Sequence, residues 1–180
     1  MFRFRLVRGT GLRRVGRRAA HLFARIDAHK LLVRVAHLKS SGGPPVHEKK
    51  NAQKREVVAS AIAAAVAKDG ANYPGYTGVV AGDTNTGETD PKRGKKLTND
   101  SSDGYDDTHG IFADGLVSGV KMKSLTIGIE KTYKSDNFPG SGPIDSIYVN
   151  GPAAAKFATA TRVSQTYGSD HWGVVAVYTP

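Results

Sequence analysis

The most constraining stretch of the sequence is Val79–Asn85, which reads VVAGDTN. The apolar run that begins at Tyr76 predicts a strand leaving a hydrophobic core, and the glycine, acid, small polar residue and amide predict a turn at its end. Side chains two residues apart share a side of a strand, so Asp83 and Asn85 place a carboxylate and a carboxamide together. Such turn residues also occur for conformational reasons alone, so the function of this edge depends on what else reaches it.

Two further segments combine polar groups with an apolar strand. The tripeptide Ser169–His171 precedes the run Trp172–Tyr178, and Asp145 lies at the start of the run Ile144–Val149. In this order GDTN, IDSI and SDH resemble the marks of the endonuclease/exonuclease/phosphatase family, which are GDxN, a strand beginning like IDYI and a terminal SDH. That family includes DNase I-like nucleases, apurinic endonucleases, inositol polyphosphate 5-phosphatases and sphingomyelinases.

The resemblance implies an α/β, layered α+β architecture, a DNase I-like β-sandwich flanked by helices. It runs from about Arg17 to the end of the chain and covers only the C-terminal half to two-thirds of a normal family domain. We therefore expect the sandwich to lack its N-terminal strands and to leave an apolar face or an open edge exposed. The predicted domains are a basic arm or spurious start over residues 1–16 and a partial family domain over residues 17–180.

The positive charge is concentrated in the N-terminal segment. The chain has 180 residues and a formal net charge of +10, yet eight of its arginines precede the first acid, Asp27. The rest of the sequence is nearly neutral, so attraction to a polyanion is expected only through this Arg-rich arm. The arm fits a nucleic-acid contact, a mitochondrial-type presequence or a start upstream of an incomplete domain, and the last fits best with the family pattern. No apolar run is long enough to cross a bilayer.

From Arg17 onward the pattern predicts a β-hairpin, because two strand-like runs flank the short polar turn Asp27–His29. The mostly aliphatic face of the second run ends with His37 at the strand tip; this face consists of Leu31, Val33, Val35 and His37. A lone histidine at a strand end is often structural. The sequence HLKS, from His37 to Ser40, nevertheless matches a similar setting in the family.

A helix is predicted over Glu48–Lys68, after the loop Ser41–Val46 and before the stop signal Asp69–Gly70. Its apolar positions recur at three and four residues and predict one buried stripe, whereas Arg55 is expected to face solvent. The stripe consists of Val57, Val58, Ala61, Ile62, Ala65 and Val66.

The polar stretch Thr86–His109 is predicted to be a solvated loop, since its acids do not have the spacing of a calcium-binding loop. A short helix is predicted around Asp106–Leu116, closed at Gly115. Four strands complete the prediction: Leu125–Ile129, Ile144–Val149, Thr161–Thr166 and Trp172–Thr179.

The resemblance implies a catalytic role for five residues. Asp83 would orient and deprotonate the attacking water, and Asn85 would donate to a phosphate oxygen or help hold that water. His37 and His171 would contact the scissile phosphate from opposite sides. Asp145 would accept the other ring proton of His171 and fix its tautomer.

The resemblance also implies a divalent ion, with Asp170 and Asp83 as its ligands. Oxygen ligands completed by water suit Mg²⁺ or Mn²⁺. The first half of a family domain supplies an asparagine and a glutamate, the principal metal ligand, and no segment before Arg17 matches either, so we expect weak binding. Two smaller departures are Thr84 in place of the usual phenylalanine and Pro143 in place of an arginine often found before the ID pair.

These features predict a metal-dependent phosphoesterase that hydrolyses a phosphodiester or phosphomonoester by in-line attack of water. The alternative is a catalytically impaired half-domain that binds a polyanion or a partner protein. The substrate stays open among nucleic acid, a small phosphoester and a lipid headgroup, because the nearly neutral body does not demand DNA. A cytoplasmic location is expected unless the arm directs the chain to an organelle.

Overall fold

The structure, a computed structural model, describes residues 21–40, 45–87, 106–134, 142–166 and 168–180. Its main sheet has five strands in the order β1-β2-β3-β5-β4, and a second sheet pairs β6 with β7. The strands are β1 His21–Ile26, β2 Leu31–His37, β3 Thr77–Asp83, β4 Lys123–Ser124, β5 Asp145–Asn150, β6 Thr161–Arg162 and β7 Val174–Val175. The helices are α1 Pro45–Asn72 and α2 Thr108–Ala113.

The hairpin predicted from the sequence is confirmed. Strands β1 and β2 are antiparallel, and a 3-10 turn over Asp27–His29 joins them through Lys30, whose φ of 50° is left-handed. Strand β2 then runs parallel to β3 after the crossover through α1, while β5 returns antiparallel to β3. This register places His37 opposite Asp83 and Asp83 opposite Asp145. Three polar residues therefore form one row at a single end of the sheet.

Helix α1 covers one face of the sheet, but the buried stripe differs from the prediction. Its buried apolar residues are Ala52, Ala59, Ile62, Ala63 and Val66, whereas Val57 is 61% exposed and Ala61 is also exposed. The alanine-rich sequence contains several stripes of similar hydrophobicity. Periodicity alone therefore predicts a stripe that is rotated around the helix axis relative to the buried one. The residues that share this core come from the sheet and α2: Ala36, Leu38, Val80, Ile111, Phe112, Met122 and Tyr148.

Two further predictions for this helix are wrong because polar residues in it pair with other elements. Arg55, predicted to face solvent, is 1% exposed, so that prediction is wrong. The stop at Asp69–Gly70 is also wrong, because the helix continues to Asn72 and Asp69 instead accepts two hydrogen bonds from Arg34 of β2. Arg34 is therefore buried in β2 together with Leu31, Leu32 and Ala36, while Val35, on the face predicted to be aliphatic, is 44% exposed. Charge pairing across elements, which no local pattern encodes, decided these orientations.

The other face of the sheet packs against a smaller cluster. Val79, Leu125, Val149 and Ala160 are buried there. Leu125–Ile129, predicted as a strand, is a turn following β4, and its Ile127 is 66% exposed. The predicted strands Thr161–Thr166 and Trp172–Thr179 are reduced to the two-residue pairs of β6 and β7, with a further bridge between Phe157 and Tyr178. The strand at Ile144–Val149 and the short helix around Asp106–Leu116 are confirmed.

Several sequence predictions lie outside the described residues: the basic arm over 1–16, the loop over 41–44 and most of the polar stretch, over 88–105. The predicted loop Ser41–Val46 is too long at its end, since Pro45 already begins α1, where a proline is well tolerated. Among the described helices, none has the length and apolar character needed to span a membrane.

Candidate active site

The polar row at the end of the sheet brings five of the predicted site residues together. Asp83 ends β3, Asp145 begins β5, and His37 ends β2 with its Nε2 atom 3.3 Å from Oδ2 of Asp83. His171 reaches the row from the C-terminal segment, and its Nδ1 atom lies 2.9 Å from Oδ2 of Asp145. Asn85 follows Asp83 in the turn after β3 and contacts its carboxylate. Residues far apart in the sequence thus meet around the carboxylates of Asp83 and Asp145.

The turn after β3 holds Asp83 in a defined orientation. The backbone N–H of Asn85 donates to Oδ1 of Asp83 at 2.8 Å, and Nδ2 of Asn85 donates to Oδ2 at 2.8 Å and to the carbonyl of Leu38 at 3.1 Å. Asn85 has a φ of 53°, a left-handed conformation that asparagine tolerates better than most residues. Thr84, at the position where the family has phenylalanine, donates its backbone N–H and its hydroxyl to the carbonyl of Ile144, both at 2.7 Å.

Gly82 has a structural reason to precede Asp83. Its φ is +145°, and a Cβ atom at this position would lie 1.8 Å from the backbone carbonyl oxygen of Ala36. Only glycine allows β3 to approach β2 this closely at the point where the site begins.

The environment shifts the pKa of two of these groups. Burial raises the pKa of Asp83 above its ordinary value, and the nearby charge of Asp145 adds to this, although the hydrogen bond from Asn85 and the charges of His171 and His37 oppose it. Burial lowers the pKa of His171, but its hydrogen bond to Asp145 and the surrounding negative charges outweigh burial and raise it. The site therefore holds a carboxylate that is more basic than usual and an imidazole that keeps its proton to higher pH.

A divalent ion fits part of this cluster. Ligand atoms of Asp83, Asp145 and His171 all lie within 4.8 Å of one another, the only such group of three among the described residues. Because Nδ1 of His171 faces Asp145, the two carboxylates are the donors left for a hard cation. Asp170, predicted as a ligand, is exposed and lies outside this group of three, although its charge acts on His171. With only two carboxylates among its donors, this group of three would hold a divalent ion weakly.

A hollow of about 500 Å³ extends from Asp145 and His171 along the face of the sheet away from α1. Its floor is apolar, with Ala81, Ile147 and Val174, and its rim carries hydroxyl and amide groups. Trp172, which also lines the hollow, lies under two cations: the guanidinium carbon of Arg162 is 4.4 Å from the indole centroid and Nζ of Lys134 is 5.9 Å away. A phosphoester bound at the row would thus have room for an organic group beside it.

Sequence reasoning missed three buried polar residues beneath the site. Arg55 and Asp106 form an ion pair, and His109 contacts the carbonyl of Thr86 and the hydroxyl of Tyr148. Asp106, Asp107 and His109 were assigned to a solvated loop, but all three are buried, so that part of the prediction is wrong. The signal available was the position of acids directly before a short apolar helix, where Oδ1 of Asp106 accepts the backbone N–H of Thr108 at 3.1 Å.

Comparison with known proteins supports the fold. No protein-family profile and no curated protein matches the chain. Solved structures do match: truncated TDP2 of Caenorhabditis elegans is 19% identical over 89% of this chain and 58% of its own, with a TM-score of 0.52. An AP endonuclease from Archaeoglobus fulgidus is 14% identical over 88% of this chain and 64% of its own, with a TM-score of 0.56. The catalytic domain of Xenopus laevis APE2 is 18% identical over 82% of this chain and 49% of its own, with a TM-score of 0.53.

The chain thus spans well under two-thirds of the length of the TDP2 structures that it matches. At these identities the likeness concerns the fold alone. Together with the central mixed sheet and its covering helices, it confirms the predicted fold class: the chain has the DNase I-like α/β fold of the endonuclease/exonuclease/phosphatase proteins.

Proposed function

We propose that the chain is a divalent-metal-dependent phosphoester hydrolase. The observation that carries this proposal is the convergence of a buried, oriented carboxylate, a second carboxylate and two imidazoles at one end of the sheet. Hydrolysis of a phosphoester needs a base for water and groups that neutralise the charge of the phosphoryl oxygens. This row contains both kinds of group, and it lies at the mouth of a hollow that could receive the substrate.

Asp83 is the proposed base. Two hydrogen bonds from Asn85 fix its carboxylate plane, and the raised pKa makes it a better proton acceptor than an ordinary aspartate. A water must lie within hydrogen-bond reach of the base before it attacks. Because the carboxylate of Asp83 is already oriented, less conformational entropy is lost when the transition state forms.

His171 and His37 are the proposed donors to the phosphoryl oxygens. Asp145 accepts the Nδ1 proton of His171, which leaves Nε2 to face the substrate and favours the charged ring. His37 is mostly exposed, with 69% of its side chain accessible, so it can turn from Asp83 toward a bound anion. His37 ends β2 beside Asp83, whereas His171 comes from the C-terminal segment and lies beside Asp145, so the two imidazoles would contact one phosphoryl group from different directions.

The proposed ion is Mg²⁺ or Mn²⁺, held by Asp83 with Asp145 or Asp170. When bound, such an ion would neutralise phosphoryl charge and lower the pKa of a bound water. The chain contributes few oxygen donors to it, so millimolar rather than micromolar metal is the sensible starting concentration for assays.

The test is a hydrolysis assay over a panel containing a nucleic acid strand, a small phosphodiester, a small phosphomonoester and a phospholipid headgroup ester, with Mg²⁺, Mn²⁺ or a chelator. Activity that requires the metal is expected, and Asp83→Asn should reduce it by about 10²–10⁴-fold, the usual contribution of a general base. Asp114→Asn, which removes an exposed acid next to α2, is the matched control and should leave the rate unchanged. Absence of metal-dependent activity over the whole panel would reject the proposal and favour the binding-module alternative.

A further inference from the structure

A buried polar network lies beneath the site and joins α1 and α2 to the turns that carry it. Its members are Arg55, Asp106 and His109, which are 1%, 4% and 1% exposed. None of them can contact a substrate from these positions. Arg55 and His109 donate instead to backbone carbonyls of the two segments that follow β2 and β3.

The hydrogen bonds of His109 fix the position of one ring proton. Nε2 lies 2.7 Å from the carbonyl oxygen of Thr86, and a carbonyl can only accept, so Nε2 carries a proton. Nδ1 contacts the hydroxyl of Tyr148, which can either donate or accept. His109 therefore connects β5, through Tyr148, to the residue directly after Asn85.

The turn that His109 holds is one that needs support. Asn85 has a φ of 53°, a left-handed conformation that is unfavourable for a non-glycine residue and persists only where its surroundings hold it. The carbonyl of Thr86 accepts from His109 at 2.7 Å; the hydroxyl of Thr84 is also near, at 3.1 Å, but its single proton lies closer to the carbonyl of Ile144, at 2.7 Å. If Thr86 were released, Asn85 could relax toward a right-handed conformation and withdraw one or both of its hydrogen bonds from Asp83.

Arg55 and Asp106 hold the helix that carries His109. Nε of Arg55 lies 2.6 Å from Oδ2 of Asp106, just before α2, and Glu56 accepts the backbone N–H of Asp107 at 2.9 Å. Arg55 also donates to the carbonyl of Lys39 at 3.1 Å, two residues after His37. One network thus fixes both segments that follow the site strands.

We propose that His109 is a positioning residue that sets the geometry of the Asp83–Asn85 turn through the carbonyl of Thr86. The effect on catalysis rests on the proposed hydrolase function, whereas the effect on the turn does not. A displacement of a catalytic group by about 1 Å can cost about 10²-fold in rate, so loss of this contact should lower kcat while leaving KM nearly unchanged.

The experiment compares His109→Leu, which cannot donate to Thr86, with His109→Gln, whose amide can donate to the carbonyl and accept from Tyr148. For each variant, NMR measures hydrogen exchange of the Asn85 amide, and the hydrolysis assay measures kcat and KM. His109→Leu should speed Asn85 exchange at least about tenfold and lower kcat by about 10–10²-fold. His109→Gln should restore most of both.

Ile111→Val is the control for general destabilisation, because Ile111 lies on the same helix and in the same core. It should lower thermal stability without selectively speeding Asn85 exchange. If His109→Leu does not fold, Tyr148→Phe, which removes only the hydroxyl partner of His109, should show the same effects more weakly. If the wild-type chain has no activity, the exchange measurement alone decides the inference, and Asn85 exchange that is unchanged in both variants would overturn it.

Discussion

Replacing Asp106 with alanine tests the buried network most directly. The side chains of Arg55 and Asp106 are 2% and 5% exposed, and the carboxylate oxygen Oδ2 lies 2.6 Å from Nε and 2.5 Å from the second guanidinium nitrogen. Removing the carboxylate leaves the guanidinium buried without its charge partner, which costs about 3–5 kcal/mol in the free energy of unfolding. Since a domain of this size is stable by about 5–15 kcal/mol, this is a large fraction of the total.

The assay is urea unfolding at fixed pH, followed by circular dichroism, with the midpoint and slope compared between variants. Glu130→Ala is the matched control, because it removes the acid of an exposed ion pair with Arg162 and should cost at most about 1 kcal/mol. The double variant Arg55→Met/Asp106→Leu should recover most of the lost stability, since it removes both members of the buried ion pair together. If Asp106→Ala costs as little as Glu130→Ala, the argument that this pair is desolvated and structural is refuted.

Three further predictions follow from the site itself. Asp145→Asn should lower the pKa of His171, measured by NMR titration of its ring. Because this pKa is raised in the folded protein, the stability that His171 contributes is fully present below the pKa of the unfolded chain and is lost as the pH rises through the folded pKa. The variant should therefore flatten the dependence of unfolding free energy on pH. Gly82→Ala should destabilise the protein by at least about 3 kcal/mol in thermal unfolding, since its Cβ would overlap the β2 backbone, and a loss under 1 kcal/mol would contradict this. If the panel identifies a nucleic acid strand as the substrate, Lys134→Ala should weaken its binding and reduce the salt slope by about 0.7, while Lys68→Ala, on α1, should change neither; equal effects of the two variants would contradict a specific role for Lys134.

The local elements of the site could be predicted from the sequence because each has a local cause. The apolar run before Gly82 indicated β3, the polar turn at Asp27–His29 indicated the hairpin, and Asp145 was expected at the start of β5. The roles assigned to the site residues came from the resemblance and stay predictions until activity is measured.

The packing of α1 could not be predicted in the same way. Its sequence offers several stripes of alanine and valine that could face the core. The observed orientation buries Arg55, which pairs with Asp106, and this partner lies 51 residues further along the chain. Similarly, the long strand expected over Trp172–Thr179 is interrupted, since it pairs only briefly with β6 and with Phe157. Hydrogen-bonded partners, not β-propensity, decide how long a strand extends.

By itself, then, the sequence indicated the fold class through the resemblance of GDTN, IDSI and SDH to the family marks. It placed the carboxylates, amide and imidazoles at strand ends because alternation and turn residues act over short distances. Only the tertiary structure decided that His37, Asp83, Asp145 and His171 share one row, and that His109 and Arg55 support it from below. Those contacts depend on strand register and on buried charge pairs between distant segments, and such long-range partners are specified only when the whole chain is packed.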